Sequence, residues 1–359
     1  MRRLLGLILT LLLIVGVGIA IYLSVKEQKV NWSKITVHGL IGSEKEEFFK
    51  DPRVLAALQR LGLTIQVEKA GSRQIATSFD LKPYDFVFTA GTPAAEKIRR
   101  DRHLNPFYTP FFTPMAIASW QPIVRLLVNN GMAEDRGGIF FFKMAPFLDA
   151  VKTQRRWKDL SDNHDYAVNK NILITSTDVR KSNSAAMYLA LASFVANGDT
   201  VVQSDADIDR VMPLLEQLFL QQGFTESSTE YPFEDYLVMG MGKSPLVMIY
   251  EAQFLYRAAT GDGSITADMV LLYPDPTLYT KHILVPLNEA GTRLGEALTT
   301  DPELQRLAIE HGFRNQSTAY FREFTQQHQV TAAATLTNVS DAPSYEVLER
   351  MIQRIEQRY

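Results

Sequence analysis

The feature that most constrains this chain is an uninterrupted apolar run at its N-terminus. Leu4 to Leu23 carries no charged residue and contains eight Leu, four Ile and two Val. A helix rises about 1.5 Å per residue, so such a run matches a hydrocarbon core of roughly 30 Å. Its Leu, Ile and Val residues supply about −4 to −8 kcal/mol of insertion free energy. That outweighs the penalties of Gly6, Gly16, Gly18 and Thr10. Arg2 and Arg3 precede the run, and positive flanks stay on the cytoplasmic side. The expectation is a single-pass transmembrane anchor over residues 1–29, with the bulk of the chain outside the cytoplasm. Gly18-Ile19-Ala20 resembles a signal-peptide cleavage site, but the apolar run continues through Ile21, Tyr22 and Leu23. A lipid anchor on cysteine is excluded, because the chain has none.

About 330 residues remain beyond the anchor, more than one ordinary core holds, so two lobes are expected. A formal net charge of −3 gives no basic footprint for nucleic acid. The absence of cysteine removes disulfides, thiolate metal sites and cysteine nucleophiles together.

From Ile35 onward, short apolar runs alternate with helical spacing, which is the pattern of an α/β fold. Strands are expected at Ile35–Leu40, Leu63–Glu68, Asp85–Phe88, Asn171–Thr175 and Pro245–Tyr250. Helices are expected at 45–61, Gln74–Phe79, 93–100, Met144–Gln154, Ser182–Val195, Asp205–Gln222, Phe233–Met239, Ala290–Leu298, Pro302–His311 and Ser344–Gln357. Two proline-bearing extended stretches interrupt this pattern. One includes Met115–Ser119 and Pro122–Val128; the other is Met269–Leu287. They read as crossovers from a first lobe into a second and back, which creates a cleft.

Three motifs carry a resemblance. Ile174-Thr175-Ser176-Thr177-Asp178 leads into Arg180-Lys181-Ser182-Asn183-Ser184. Tyr273-Pro274-Asp275-Pro276-Thr277 leads through His282 into Val285-Pro286-Leu287. Asp301-Pro302-Glu303-Leu304-Gln305 runs to Gly312-Phe313-Arg314. Across residues 33 to 320 the chain resembles the extracytoplasmic solute-binding proteins of bacterial ABC transporters, of the two-crossover, type II kind. The resemblance implies a two-lobed periplasmic-binding-protein-like α/β fold. Its lobe I would span 30–115 and 276–325, and lobe II 116–275. Residues 326–359 would be an added C-terminal extension. The anchor and this extension depart from the family pattern.

Strand-to-helix loops present free N–H groups and a positive dipole end, which attract anions. Gly42-Ser43-Glu44, Gly91-Thr92 and Ser182-Asn183-Ser184 are such loops, with hydroxyls beside the N–H groups. The same Ser43, Thr92 and Ser182 hydroxyls also suit plain N-caps. Glu44 opposes an anion unless it turns away or pairs with Lys45. Tyr250 and Glu251 follow a strand whose end reaches the ligand in the family. The ligand-binding set is therefore Gly42, Ser43, Glu44, Gly91, Thr92, Ser182, Asn183, Ser184, Tyr250 and Glu251.

The six histidines are scattered without metal-ligand spacing, so no metal and no cofactor is expected. Asp205, Asp207, Asp209 and Glu216 imitate a calcium loop, but Arg210 stands where the turn needs Gly. Ser161-Asp162-Asn163 lacks the Ser-x-x-Lys and Lys-Thr-Gly partners of a penicillin-binding site, and no other hydrolase motif is present. The reading is a non-enzymatic, membrane-tethered binder of a small polar solute, anions included, in the periplasm or at the cell exterior of a bacterium. Its partners would be that solute, the membrane, and an ABC transporter permease or other membrane protein. A second class stays open: an anchored scaffold or sensor that keeps the fold and binds a protein.

Overall fold

A computed structural model describes residues 34–223 and 225–359. The anchor expected over Leu4–Leu23 lies outside the described residues; among those described, no helix is long and apolar enough to cross a membrane. The chain first builds β1 (Ile35–Ile41), α1 (Glu46–Lys50), α2 (Pro52–Arg60), β2 (Leu63–Lys69), α3 (Ser72–Thr77), β3 (Phe86–Ala90) and α4 (Thr92–Arg102). Next come β4 (Tyr108–Trp120), α5 (Gln121–Asn129), β5 (Ala133–Arg136), β6 (Ile139–Lys143), α6 (Met144–Lys152), α7 (Asn183–Ala196), α8 (Asp205–Leu220), α9 (Glu230–Met239), β7 (Val247–Tyr250) and α10 (Glu251–Thr260). It closes with β8 (Met269–Asp275), β9 (Thr277–Pro286), α11 (Glu289–Thr300), α12 (Pro302–Glu310), α13 (Thr318–Gln327), β10 (Val339–Ser340) and α14 (Tyr345–Glu356).

The strands run in the order β2-β1-β3-β9-β4-β8-β6-β5, with β10 beside β9 and β7 beside β4. Strand β1 is parallel to both β2 and β3, as right-handed βαβ crossovers require. One strand does double duty. Tyr108–Pro114 of β4 pairs with β9, whereas Met115–Trp120 pairs with β7 and β8. The return path is β8 followed directly by β9. Two crossings thus join a lobe built on β2-β1-β3-β9 to one built on β4, β7, β8, β6 and β5. The first lobe packs Val37, Phe48, Leu58, Phe88 and Leu284 together; the second packs Ile117, Phe147, Leu189, Leu215 and Ile249.

The sequence reading differs from this fold at definite places. Pro122–Val128 is the helix α5, not a strand. Pro122 sits in its first turn, where no N–H is needed, and Ile123, Val124, Leu126 and Leu127 are buried at helical spacing. Asn171–Thr175 forms only isolated bridges, Asn171 with Arg156 and Thr175 with Val247. The β5–β6 hairpin, α10 and α13 went unassigned. Glu251 opens α10 and polar residues dominate α13, so neither shows a clean apolar stripe.

One buried ion pair holds the crossings together. Arg314 donates through Nε and Nη2 to the two Glu251 oxygens, both at 2.6 Å, with side-chain exposures of 6% and 0%. The Tyr273 hydroxyl donates to the same carboxylate. Arg314 also exchanges backbone hydrogen bonds with Phe112 of β4 and donates to the Ala333 and Ala334 carbonyls. Its guanidinium lies 4.2 Å from the Phe321 ring centroid. The pair therefore joins β4, β8, the start of α10 and the C-terminal segment. Removing one member of a buried pair leaves an uncompensated charge, so Arg314→Ala should cost about 3–5 kcal/mol in denaturant unfolding. Removing the exposed Arg60 from its solvated pair with Glu303 should leave the unfolding midpoint nearly unchanged. Equal losses would contradict this account of the crossing.

Candidate functional site

A cavity of about 210 Å³ lies between the lobes. The first lobe contributes Gly42, Ser43, Glu44, Lys69, Ala70, Gly71, Ser72 and Gln74; the second contributes Ser182, Asn183, Ser227–Tyr231 and Tyr250. The lobes touch across it. Ser43 Oγ lies 2.9 Å from Ser228 Oγ, and Arg73 Nη1 donates to the Arg180 carbonyl at 2.7 Å. A second cavity, of about 340 Å³, shares Ser43, Glu44 and Glu230 with the first; Glu46, Glu47, Glu234, Tyr256 and His311 also line it.

Four helical starts converge on the first cavity: the short 3-10 turn after Gly42, α3 after Gly71, α7 after Ser182 and α9 after Thr229. None carries a side-chain cap on its N-cap residue. Elsewhere Asp51, Ser204, Asn288, Asp301 and Ser344 cap α2, α8, α11, α12 and α14 in the ordinary way. The plain N-cap role therefore does not describe Ser43 or Ser182. Ser182 Oγ pairs instead with Ser184 Oγ at 2.9 Å, and the Glu230 N–H donates to the neighbouring Ser228 Oγ at 3.3 Å. At α3 the Gly71 N–H donates to Gln74 Oε1 at 3.4 Å, so the starts left without any such side-chain partner among the described residues are the turn after Gly42 and α7.

Glycine is favoured at one point of this wall and required at another. A Cβ on Gly42 would fall 2.4 Å from Glu44 Oε1, because the Glu44 carboxylate folds back over that backbone. Gly91 has φ +88, and a Cβ there would meet Asn183 Oδ1 at 2.7 Å. Asn183 in turn donates through Nδ2 to the Tyr250 hydroxyl at 3.0 Å.

Beneath the cavity lies a buried triad. Lys45 Nζ binds Glu44 Oε1 and lies 3.1 Å from His282 Nδ1; the same His282 nitrogen is 3.4 Å from Glu44 Oε1. Lys45 and His282 are fully buried, and the Lys45 ammonium sits 5.0 Å from the Phe88 ring centroid. Burial alone would raise the Glu44 carboxyl, but Lys45 and His282 hold it well below the usual carboxylate range. Burial, aided by the Lys45 charge, lowers the His282 imidazole to about 4. Among the described residues, His282 Nε2 has no hydrogen-bond partner. The triad keeps Glu44 ionised at the cavity wall while cancelling its charge locally.

Of the ten residues named from sequence, Gly42, Ser43, Glu44, Ser182, Asn183 and Tyr250 line the cavity. Gly91 backs Asn183. Thr92 is half-buried and does not line it. Ser184 is buried and bonds Thr177 and Ser182. Glu251 turns the other way, into the Arg314 pair, because its position at the start of α10 directs it toward β8. Sequence reading missed Lys69, Ser72, Gln74 and Ser227–Tyr231. The Ser227-Ser228-Thr229 run is the same hydroxyl-before-helix signal as Ser182; placing the helix start at Phe233 hid it.

Below pH 6.5 an unfolded chain binds a proton at His282 that the folded chain refuses until about pH 4. Stability should be complete above that window and fall as pH drops through it, by about 3 kcal/mol. His311, also lowered by burial, acts in the same direction. Unfolding midpoints measured from pH 7 to 4 should decline, and His282→Gln should flatten the decline. An unchanged slope in that variant would count against the buried neutral imidazole.

No family model matches the chain, and no curated protein does. Solved structures do. The sulfate-binding protein SubI from Mycobacterium tuberculosis matches at 14% identity and TM-score 0.50, over 88% of this chain and 96% of its own. The apo ferric ion-binding protein A of Pasteurella haemolytica matches at 11% identity and TM-score 0.54, over 90% and 96%. Iron-bound HitA from Pseudomonas aeruginosa matches at 10% and 0.54, over 89% and 99%. The likeness is one of fold: the described residues share the two-lobed α/β architecture of these binding proteins.

Proposed function

We propose that this chain is an extracytoplasmic solute-binding protein that captures a small polar solute, anionic species included, between its lobes. The observation that carries the reading is the convergence of four helical starts, none capped by its N-cap side chain, from both lobes on one hydroxyl-rich cavity. Its volume of about 210 Å³ is below the roughly 300–1,000 Å³ of drug-sized sites, so the solute is small. Glu46, Glu47, Glu230 and Glu234 around the neighbouring cavity disfavour a large polyanion. Ser43, Ser182, Asn183 and Tyr250 would hold the solute, with N–H groups of the helical starts facing its oxygens. The role is binding rather than catalysis, and a permease is the fitting consumer of a released solute. Leu4–Leu23 would tether the binder to the bacterial inner membrane.

The solute claim is checked with the full chain in detergent, by thermal shift and calorimetry against sulfate, phosphate, amino acids and sugars. Stabilisation should follow RT ln(1 + [L]/Kd) for one class. Asn183→Ala should weaken that binding about tenfold, as loss of one or two cavity hydrogen bonds implies. No shift with any class would overturn the reading. The tether is tested separately. The full chain should stay with membranes after an alkaline wash, and a chain lacking residues 4–23 should be released. Full-length protein in the soluble fraction would remove the tether and leave the binding claim standing.

A further inference from the structure

The C-terminal helix α14 lies across the seam between the lobes. Its apolar face, Val347, Leu348, Met351, Ile352 and Ile355, is buried in the core of the second lobe. Its ion pairs divide between the lobes. Two acids of its first half reach the first lobe: Glu349 takes a bidentate bond from Arg73 of α3, with Arg73 Nε at 2.9 Å, and Glu346 pairs with Arg100 of α4. Both arginines belong to the first lobe. Its bases Arg350 and Arg354 pair with Asp205 and Asp209 of α8, in the second lobe.

We propose that α14 is a latch: it rides on the second lobe and holds the first lobe closed over the cavity through Arg73–Glu349 and Arg100–Glu346. The Arg73–Glu349 pair does most of the holding. Its side chains are only 22% and 15% exposed, whereas Arg100 and Glu346 are 58% and 51% exposed, and a fully solvated pair contributes little. Arg73 also donates to the Arg180 carbonyl, so one guanidinium grips both the helix and the second lobe's backbone. Beneath the helix, Pro93 and Ala94 of the first lobe meet Asn183 and Ala186 of the second. Asn183 is shared with the solute cavity, so the latch sits at its rim. The start of the C-terminal segment is fixed at the crossings by the Ala333 and Ala334 bonds to Arg314 and by β10 on β9, which keeps α14 in register with both lobes. Lobe opening then requires these ion pairs to part. A latch that populates the closed state raises the apparent affinity of whatever binds there, because less free energy is spent on closure. The proposal does not depend on which solute binds, or on whether one does.

The chain has no cysteine, so Lys82→Cys in the first lobe and Lys152→Cys in the second give a unique spin-label pair, both at exposed positions. Interlobe distances are read by pulsed electron resonance on the full chain in detergent, without solute. The parent should show one narrow short distance. Neutralising the latch with Glu346→Gln and Glu349→Gln should raise the long-distance population at least fivefold. Neutralising the pairs internal to the second lobe, with Arg350→Gln and Arg354→Gln, removes the same number of ion pairs and should leave the distance unchanged. Far-UV circular dichroism confirms that each variant is folded. The proposal is overturned if neither variant opens, if both open alike, or if the parent is already open.

Discussion

The bidentate pair between Glu251 and Arg314 is the constraint on which the rest of this structure depends. It sits where β4 passes from one sheet to the other and where β8 gives way to β9. Neither charge could remain there alone, since a buried ion without a partner costs several kcal/mol. Each member therefore fixes the other, and Tyr273 and the tail carbonyls of Ala333 and Ala334 satisfy the remaining hydrogen-bonding capacity. The crossings become a defined pivot. The walls of the cavity inherit their relative positions from that pivot.

Electrostatics on the two sides of the pivot have different characters. At the cavity, charge is cancelled locally: Glu44 by Lys45 and Lys69 by Glu46. What faces the space is mostly hydroxyls and backbone donors, which discriminate by geometry more than by net charge. At the rim, charge is arranged between bodies, with the acids of α14 reaching one lobe and its bases the other. The Asp205 and Asp209 carboxylates that imitate a calcium loop in the sequence serve there as partners for Arg350 and Arg354.

Much of this fold was legible in the sequence because it rests on periodicity. Alternating runs marked β1, β2 and β3, and the proline-bearing stretches Met115–Ser119 and Met269–Leu287 marked the crossings. Pro122–Val128 misled because its apolar residues outnumber the single exposed charge, Arg125, so a short apolar run reads equally well as a strand. The candidate site was half legible for a related reason. Ser43, Ser182 and Asn183 announce themselves by preceding a helix. Lys45 and His282 do not: they lie 237 positions apart and meet only through β9, so no local pattern joins them. Glu251 follows Tyr250 directly, yet the first residue of a helix points away from the preceding strand's end, and the two side chains serve different purposes.

The central claim is that the space between the lobes holds a small solute. Native mass spectrometry of the full chain in detergent, with millimolar sulfate, phosphate, amino acids and sugars supplied in turn, tests it most directly. The account predicts one adduct per chain from a single solute class, requiring about tenfold more solute in Asn183→Ala. Spectra without an adduct in any class, or an adduct that survives unchanged in Asn183→Ala, would contradict it.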